Sequence, residues 1–260
     1  ADFPLEQLPP HVSLVLPSGE RPDWEPGGSD RFIYVTEPGG TPREHSLTSG
    51  TDEAIVAPGL NGGGWRIYYL SDQNYLMTIG PDRGWASMHV IDRGGTAPPV
   101  DLGEIAHEGV AVSRNGLRVA WTTGHHIHTG EIAYDAAGLS TLVNRETVLD
   151  SATLPTGDGT SYNGDIEPQN FRPPLENELI FSRYGTSSTG KYSAETWVYS
   201  FETGEVANYS NRPAWYDEPE GVFPDGEHTL VECDIFLPVS DHARVLDLYR
   251  MRLVGTGTED

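Results

Sequence analysis

The sequence has one cysteine, one lysine and no long apolar run, and each shortage removes a class of protein. Cys233 stands alone, so no disulfide can form within the chain, and its setting in HTLVECDIF reads as a buried thiol on a strand. No stretch approaches the roughly eighteen apolar residues of a membrane-spanning helix. Lys191 is the only lysine, and sixteen bases face thirty-nine acids, for a net charge of −23 at pH 7. Such a surface repels phosphates and anionic lipids, so neither nucleic acid nor membrane is expected as a partner. There is no Gly-x-Ser-x-Gly elbow, phosphate loop or dinucleotide fingerprint, so no esterase nucleophile or nucleotide site is signalled.

What is abundant is turn-forming and aromatic. Thirty Gly, twenty Pro, twelve Tyr and six Trp suit many short strands joined by tight turns. A chain of 260 residues can bury a substantial core, and residues 1–260 are expected to form a single domain. The opening Ala1-Asp2-Phe3-Pro4 has no basic start followed by an apolar stretch. It reads as a mature terminus after signal removal, which implies an extracellular or periplasmic protein.

Five stretches share one pattern of apolar strand, polar turn and apolar strand. They are RPDWEPGGSDRFIYVTE from Arg21, GGGWRIYYLSDQNYLMTIG from Gly62, HEGVAVSRNGLRVAWTTG from His107, EPQNFRPPLENELIFSRYG from Glu167 and EPEGVFPDGEHTLVECD from Glu218. The turn residues supply positive φ or local side-chain bonds, and the flanks alternate or run apolar as buried strands do. Third strands are expected at 86–91, 130–134, 195–200 and 245–251, and fourth strands at 54–57, 98–102, 146–149 and 205–209. Units recur about every 40 to 60 residues, the spacing of propeller blades plus loops. The expected fold is therefore all-β, a β-propeller of about five four-stranded blades. A fragment of a six- or seven-bladed ring is the alternative, and an open sandwich the third choice. The spare segment His11–Leu16 is expected to pair into the last blade and cover its open edge.

The hairpins resemble the WD-like repeats of TolB-type propellers, whose unit reads as an apolar strand, Ser-Pro-Asp-Gly and a second apolar strand. Phe223-Pro224-Asp225-Gly226 is the best copy, followed by VSRNGLRVAWT and DWEPGGSDRFIYV. The resemblance implies a blade architecture shared by periplasmic scaffolds, peptidase-associated propellers and secreted polysaccharide lyases. It does not choose an activity.

In such a propeller the lead-in to each first strand and the hairpin from second to third strand share a face. Glu108, Glu167 and Glu218 with Glu220 occupy equivalent lead-in positions and are expected to converge. Converging carboxylates raise one another's pKa unless a cation or base joins them, so Ca²⁺ or Arg172 is expected nearby. The run Thr122–Gly130 holds His125, His126 and His128. On a strand His126 and His128 share a face and would ligate Zn²⁺ or Mn²⁺ if further ligands converge. Arg83, Trp85 and His89 in one loop, with Tyr162, Arg183 and Tyr184 in others, are residue types that bind sugars and carboxylates.

These residue types resemble the sites of secreted propeller lyases acting on uronate glycans. That resemblance implies Arg172 as the carboxylate clamp, His107 or His89 as the base and Tyr162 as the acid of a β-elimination. Arg83, Trp85, Glu108, Glu167, Glu220, Arg183 and Tyr184 would hold the substrate. The paired carboxylates leave glycoside hydrolysis open as a lesser enzyme reading. The competing function is a non-catalytic propeller that binds a glycan, another small ligand or a protein.

Overall fold

The computed structural model describes residues 10–60, 63–156, 160–187, 190–213, 215–234 and 246–253. Among them are nineteen strands and a short 3-10 turn at Ser151–Thr153. The strands sort in chain order into five antiparallel sheets, the blades of a five-bladed β-propeller. Blade one is β1 (Glu20–Trp24), β2 (Arg31–Val35), β3 (Pro42–Ser46) and β4 (Asp52–Ala54). Blade two is β5 (Arg66–Tyr69), β6 (Tyr75–Ile79), β7 (Ala86–Ile91) and β8 (Val100–Ala106). Blade three is β9 (Val110–Val112), β10 (Arg118–Thr123), β11 (His126–Tyr134) and β12 (Ser140–Asp150). Blade four is β13 (Ser161–Phe171), β14 (Glu178–Thr186), β15 (Tyr192–Ser200) and β16 (Val206–Asn208). Blade five is β17 (Asp217–Val222), β18 (His228–Cys233) and β19 (Asp247–Arg252). No described helix is long and apolar enough to cross a membrane.

Each repeat read from the sequence is one blade, so the unit count and chain order agree with the expectation. Boundaries differ where polar residues join a ladder. The third strand of blade three starts at His126 rather than Gly130, and that of blade four at Tyr192 rather than Glu195. The closing strand is a correction. His11–Leu16 carries no strand, Val12, Leu14 and Val15 are about half exposed, and blade five has three strands among the described residues. Pro10 and Pro17 bracket that segment, and neither can donate a backbone N–H to a ladder.

The chain forms two compact units, the first containing β1–β7 and the second containing β9–β19, with the change falling inside β8. In the first unit Ile33, Val35, Ile67, Tyr69, Tyr75 and Met77 build the core. Above it Arg93 reaches Glu25 at 2.9 Å and Glu44 at 2.7 Å, while Tyr69 Oη donates to Glu44 at 2.5 Å.

In the second unit the organising element is β14. Both of its faces are buried from Leu179 to Gly185, so its alternating side chains feed two different cores. Leu179 and Phe181 pack with Ala111, Ala120 and Ile127 of blade three and with Trp197. Ile180 packs with Val231, Cys233 and Met251 of blade five. Turn chemistry then fixes the hairpin ends. In blade five Asp225 Oδ1 accepts from Glu227 N at 2.8 Å, and Gly226 sits at φ +69 against the Pro173 carbonyl. A Cβ at Gly226 would lie 1.9 Å from that oxygen, so glycine is required there.

Phe181→Ala is expected to destabilise the protein by about 3–5 kcal/mol, the range for emptying a large core site. A denaturant titration read by tryptophan fluorescence measures this. A loss below about 1 kcal/mol would contradict the packing described.

Candidate functional site

On the blade-three side of β14, the next residue after Phe181 is Arg183, which is 2% exposed. Its guanidinium lies 3.5 Å from the Tyr162 ring centroid and 5.0 Å from that of Trp197, and its Nη1 donates to Pro155 O at 2.6 Å. Burial of so strongly hydrated a group is offset by the two π faces and the carbonyl. Arg183 therefore backs the Tyr162 ring and fixes its plane.

That ring lines a cleft of about 620 Å³ with His125, His126, Asp150, Thr160 and Asn163. The volume is within the usual range for small-ligand sites. His126 Nε2 lies 3.8 Å from Asp150 Oδ2, across the end of β11 and β12. His125 Nδ1 donates to Gly164 O at 3.0 Å and sits 3.8 Å from Asp165 Oδ1. The pairing of β13 with β14 slips between Tyr162 and Ile166, and Gly164 at φ +95 lets that bulge fold against the His125 ring. A Cβ at Gly164 would stand 2.9 Å from His125 Nδ1.

The opposite face of β14 carries Tyr184. Its hydroxyl lies 2.8 Å from Glu167 Oε2 and within hydrogen-bond distance of Glu218 Oε1. Glu218 Oε2 in turn accepts from Tyr216. Tyr192, about half exposed, stacks on Tyr184 with centroids 5.9 Å apart and planes 10° apart. Burial, then the charges of Glu167 and Glu218, holds the Tyr184 phenol well above its usual range. Burial, then Asp165, Glu218, Glu108 and Glu167, pushes Tyr192 up to about 12. Burial, then the charge of Glu167, raises Glu218 above the usual carboxylate range.

Oxygen atoms of Glu218, Glu220 and Glu232 also lie within 4.8 Å of one another. Their ligand type suits a hard cation such as Ca²⁺. Each oxygen of Glu218 also accepts from a phenol, from Tyr184 at Oε1 and Tyr216 at Oε2.

The sequence-predicted residues are thus divided. His126, Tyr162 and Arg183 meet at the cleft, while Glu167, Tyr184 and Glu218 meet on the other side of β14. Glu220 is drawn to that second group through Glu218. Glu108 sits in the turn before β9 at φ 64 and acts on Tyr192 through its charge. His107 holds the same turn by its backbone, donating to Thr122 O at 2.8 Å, and does not line the cleft. Arg83, Trp85 and His89 belong to the first unit; Trp85 is exposed, and His89 Nδ1 lies 3.1 Å from Ser87 O.

Arg172 requires a correction. It follows the far end of β13: Tyr162 pairs with Gly185, whereas Arg172 N donates to Glu178 O, seven residues along β14 or about 23 Å away. Its guanidinium is committed to Gly226 O at 2.5 Å, Glu178 Oε2 at 2.6 Å and Leu253 O at 3.0 Å. It joins blades four and five and cannot share a sugar with Tyr162. The expectation failed because β13 begins six residues before Glu167, which moves Arg172 from just inside the strand to beyond its far end.

The imidazoles of His126 and His128 do share a face, with centroids 6.1 Å apart. His128 Nδ1 is 3.0 Å from Thr147 Oγ1, and burial lowers its pKa. No group of three ligand atoms within 4.8 Å includes either histidine among the described residues. The sequence reading missed Asp150, Thr160 and Asn163 at the cleft, and Tyr192 and Tyr216 at the acid cluster. Only Tyr216, two residues before Glu218 and next to the start of β17, left a usable signal.

No protein-family model matches the sequence, and no curated protein matches it. Solved structures do. A TolB structure from Agrobacterium tumefaciens is 18% identical, covering 93% of this chain and 78% of that one, at a TM-score of 0.57. A nidogen/laminin complex gives 12% identity over 90% of this chain and 76% of that one, at 0.55. The Cps50 (Swd1) β-propeller domain of Myceliophteria thermophila gives 12% over 90% and 72%, at 0.52. The TolB-like propeller fold is therefore shown, and at such identities the likeness carries no activity.

Arg172→Ala is expected to lower stability by about 2–4 kcal/mol, because three acceptors lose a charged donor. Chemical denaturation measures the loss, and ligand affinity at the cleft should stay within about twofold. A stable variant with lost affinity would return Arg172 to the site.

Proposed function

We propose that the chain is a ligand-binding β-propeller whose recognition site is the cleft at His126, Tyr162 and Arg183, and whose ligand is a neutral or amino sugar unit of a glycan. The observation that carries this reading is the Tyr162 ring, held in plane by the Arg183 guanidinium at the wall of a cleft of about 620 Å³. A fixed aromatic plane beside hydroxyl and amide groups suits the apolar face and hydroxyl rim of a pyranose. Thr160, Ser161 and Asn163 supply the polar groups, and the His125 and His126 imidazoles add donors or acceptors.

Charge narrows the ligand. Asp150 and Asp165 stand at the histidines, and the chain carries a net −23. That field opposes a polyuronate and favours a neutral or cationic sugar. The β-elimination reading also loses its clamp with Arg172, and the guanidinium beside Tyr162 is already engaged by the ring and the Pro155 carbonyl. Binding without bond cleavage is therefore the reading adopted in this proposal. A glycan-binding role fits an extracellular or periplasmic location, which belongs to this same proposal.

Calorimetry with neutral, amino-sugar and uronate oligosaccharides tests the reading. Neutral or amino-sugar oligomers should bind, and Tyr162→Ala should weaken them about tenfold, equivalent to about 1.4 kcal/mol. Silence across the panel, or ultraviolet absorbance from an unsaturated product, would overturn it.

A further inference from the structure

A second, smaller hollow of about 290 Å³ is lined by Pro155, Thr156, Trp197, Val206 and Asn208. Thr156 also lines the cleft, so the two meet at that residue. Tyr162 belongs to the cleft and Trp197 to the hollow, and the two rings stand edge-on with centroids 6.1 Å apart. Arg183 braces both: its guanidinium covers the Tyr162 ring, and its Nη1 holds the Pro155 carbonyl at 2.6 Å.

The chemistry of the hollow differs from that of the cleft. His125, His126, Asp150 and Arg183 line the cleft, whereas no charged side chain is among the described residues of the hollow. Pro155, Val206 and the Thr156 methyl supply carbon, and the Asn208 amide oxygen already accepts from Asn211 N at 2.8 Å. Trp197 is 3% exposed, and its Nε1 has no hydrogen-bond partner among the described residues. An indole N–H can only donate, and a buried donor left unmet is costly.

We propose that this hollow is a subsite for the acetyl group of an N-acetylated amino sugar, whose carbonyl oxygen accepts from Trp197 Nε1 and whose methyl lies on Pro155 and Val206. The inference rests on the glycan reading of the cleft and narrows it from neutral or amino sugars to acetamido sugars. Each competing substituent fails on one count. A free ammonium has donors only and cannot accept from an indole. A uronate carboxylate accepts, but it would bring a charge among side chains that include no cation. A hydroxyl accepts, but it leaves the carbon wall uncovered. An amide carbonyl also accepts more strongly than an ester, which favours an N-acetyl over an O-acetyl group.

Calorimetry with β-1,4-linked tetramers of glucose, glucosamine and N-acetylglucosamine tests the subsite. The acetylated tetramer should bind wild type about tenfold more tightly than either of the others, from one buried methyl and one added hydrogen bond. Trp197→Phe keeps a ring beside Phe181 and Arg183 but removes the N–H, and should cut that preference about fivefold. If W197F does not fold, Val206→Phe, which fills the hollow from β16, replaces it with the same expected loss. In heteronuclear NMR spectra of wild type, the Trp197 indole resonance should move downfield with the acetylated tetramer and hold its place with the glucose tetramer.

Equal affinity for the three tetramers, or an unmoved Trp197 resonance at saturation, would overturn the subsite and leave the glycan reading of the cleft intact. Binding of none of the three would overturn both.

Discussion

Burial of β14 on both faces is the constraint from which the second unit takes its form. A strand covered on both sides must send alternate residues into separate layers, and here each layer ends in a polar group. Towards blade three the series Leu179, Phe181, Arg183 runs from apolar packing to a guanidinium on an aromatic ring. Towards blade five the series Ile180, Ser182, Tyr184 ends in a phenol between two carboxylates. Cleft and acid cluster are therefore neighbours through one strand, set one residue apart in sequence and facing opposite ways. A single-residue slip of β14 would exchange their contents.

The two groups balance charge by different means. Arg183 keeps its charge because π faces and a carbonyl replace water. The Glu167–Tyr184–Glu218 contacts have two acids about one phenol, and burial, then the charge of Glu167, raises Glu218 above the usual carboxylate range. The cleft offers a rigid ring and hydroxyl groups, the features on which the proposed recognition rests.

The fold was legible because its signals are local. Pro224-Asp225-Gly226 announces a turn, and the structure shows Asp225 holding that turn and Gly226 meeting a carbonyl that no Cβ could approach. The site was legible only in part. Tyr162, His126 and Arg183 were identified by residue type, and the fold brought them together. Arg172 was misplaced because an irregular strand, β13, starts earlier than its apolar pattern suggests, with Asn163-Gly164-Asp165 inside it as a bulge. Asp150 and Tyr192 were invisible because their roles come from long-range pairing. The N-terminal strand failed for a related reason: alternation shows that a segment can pair, but not that a partner edge takes it up.

The central claim is that the cleft of blades three and four receives a neutral or amino sugar. Amide hydrogen exchange with and without a saturating neutral or amino-sugar oligosaccharide tests it most directly. The account predicts slowed exchange at 125–126, 150–152 and 160–164, with little change in β1–β7. Slowing confined to the first unit, or none at any concentration of these sugars, would contradict it.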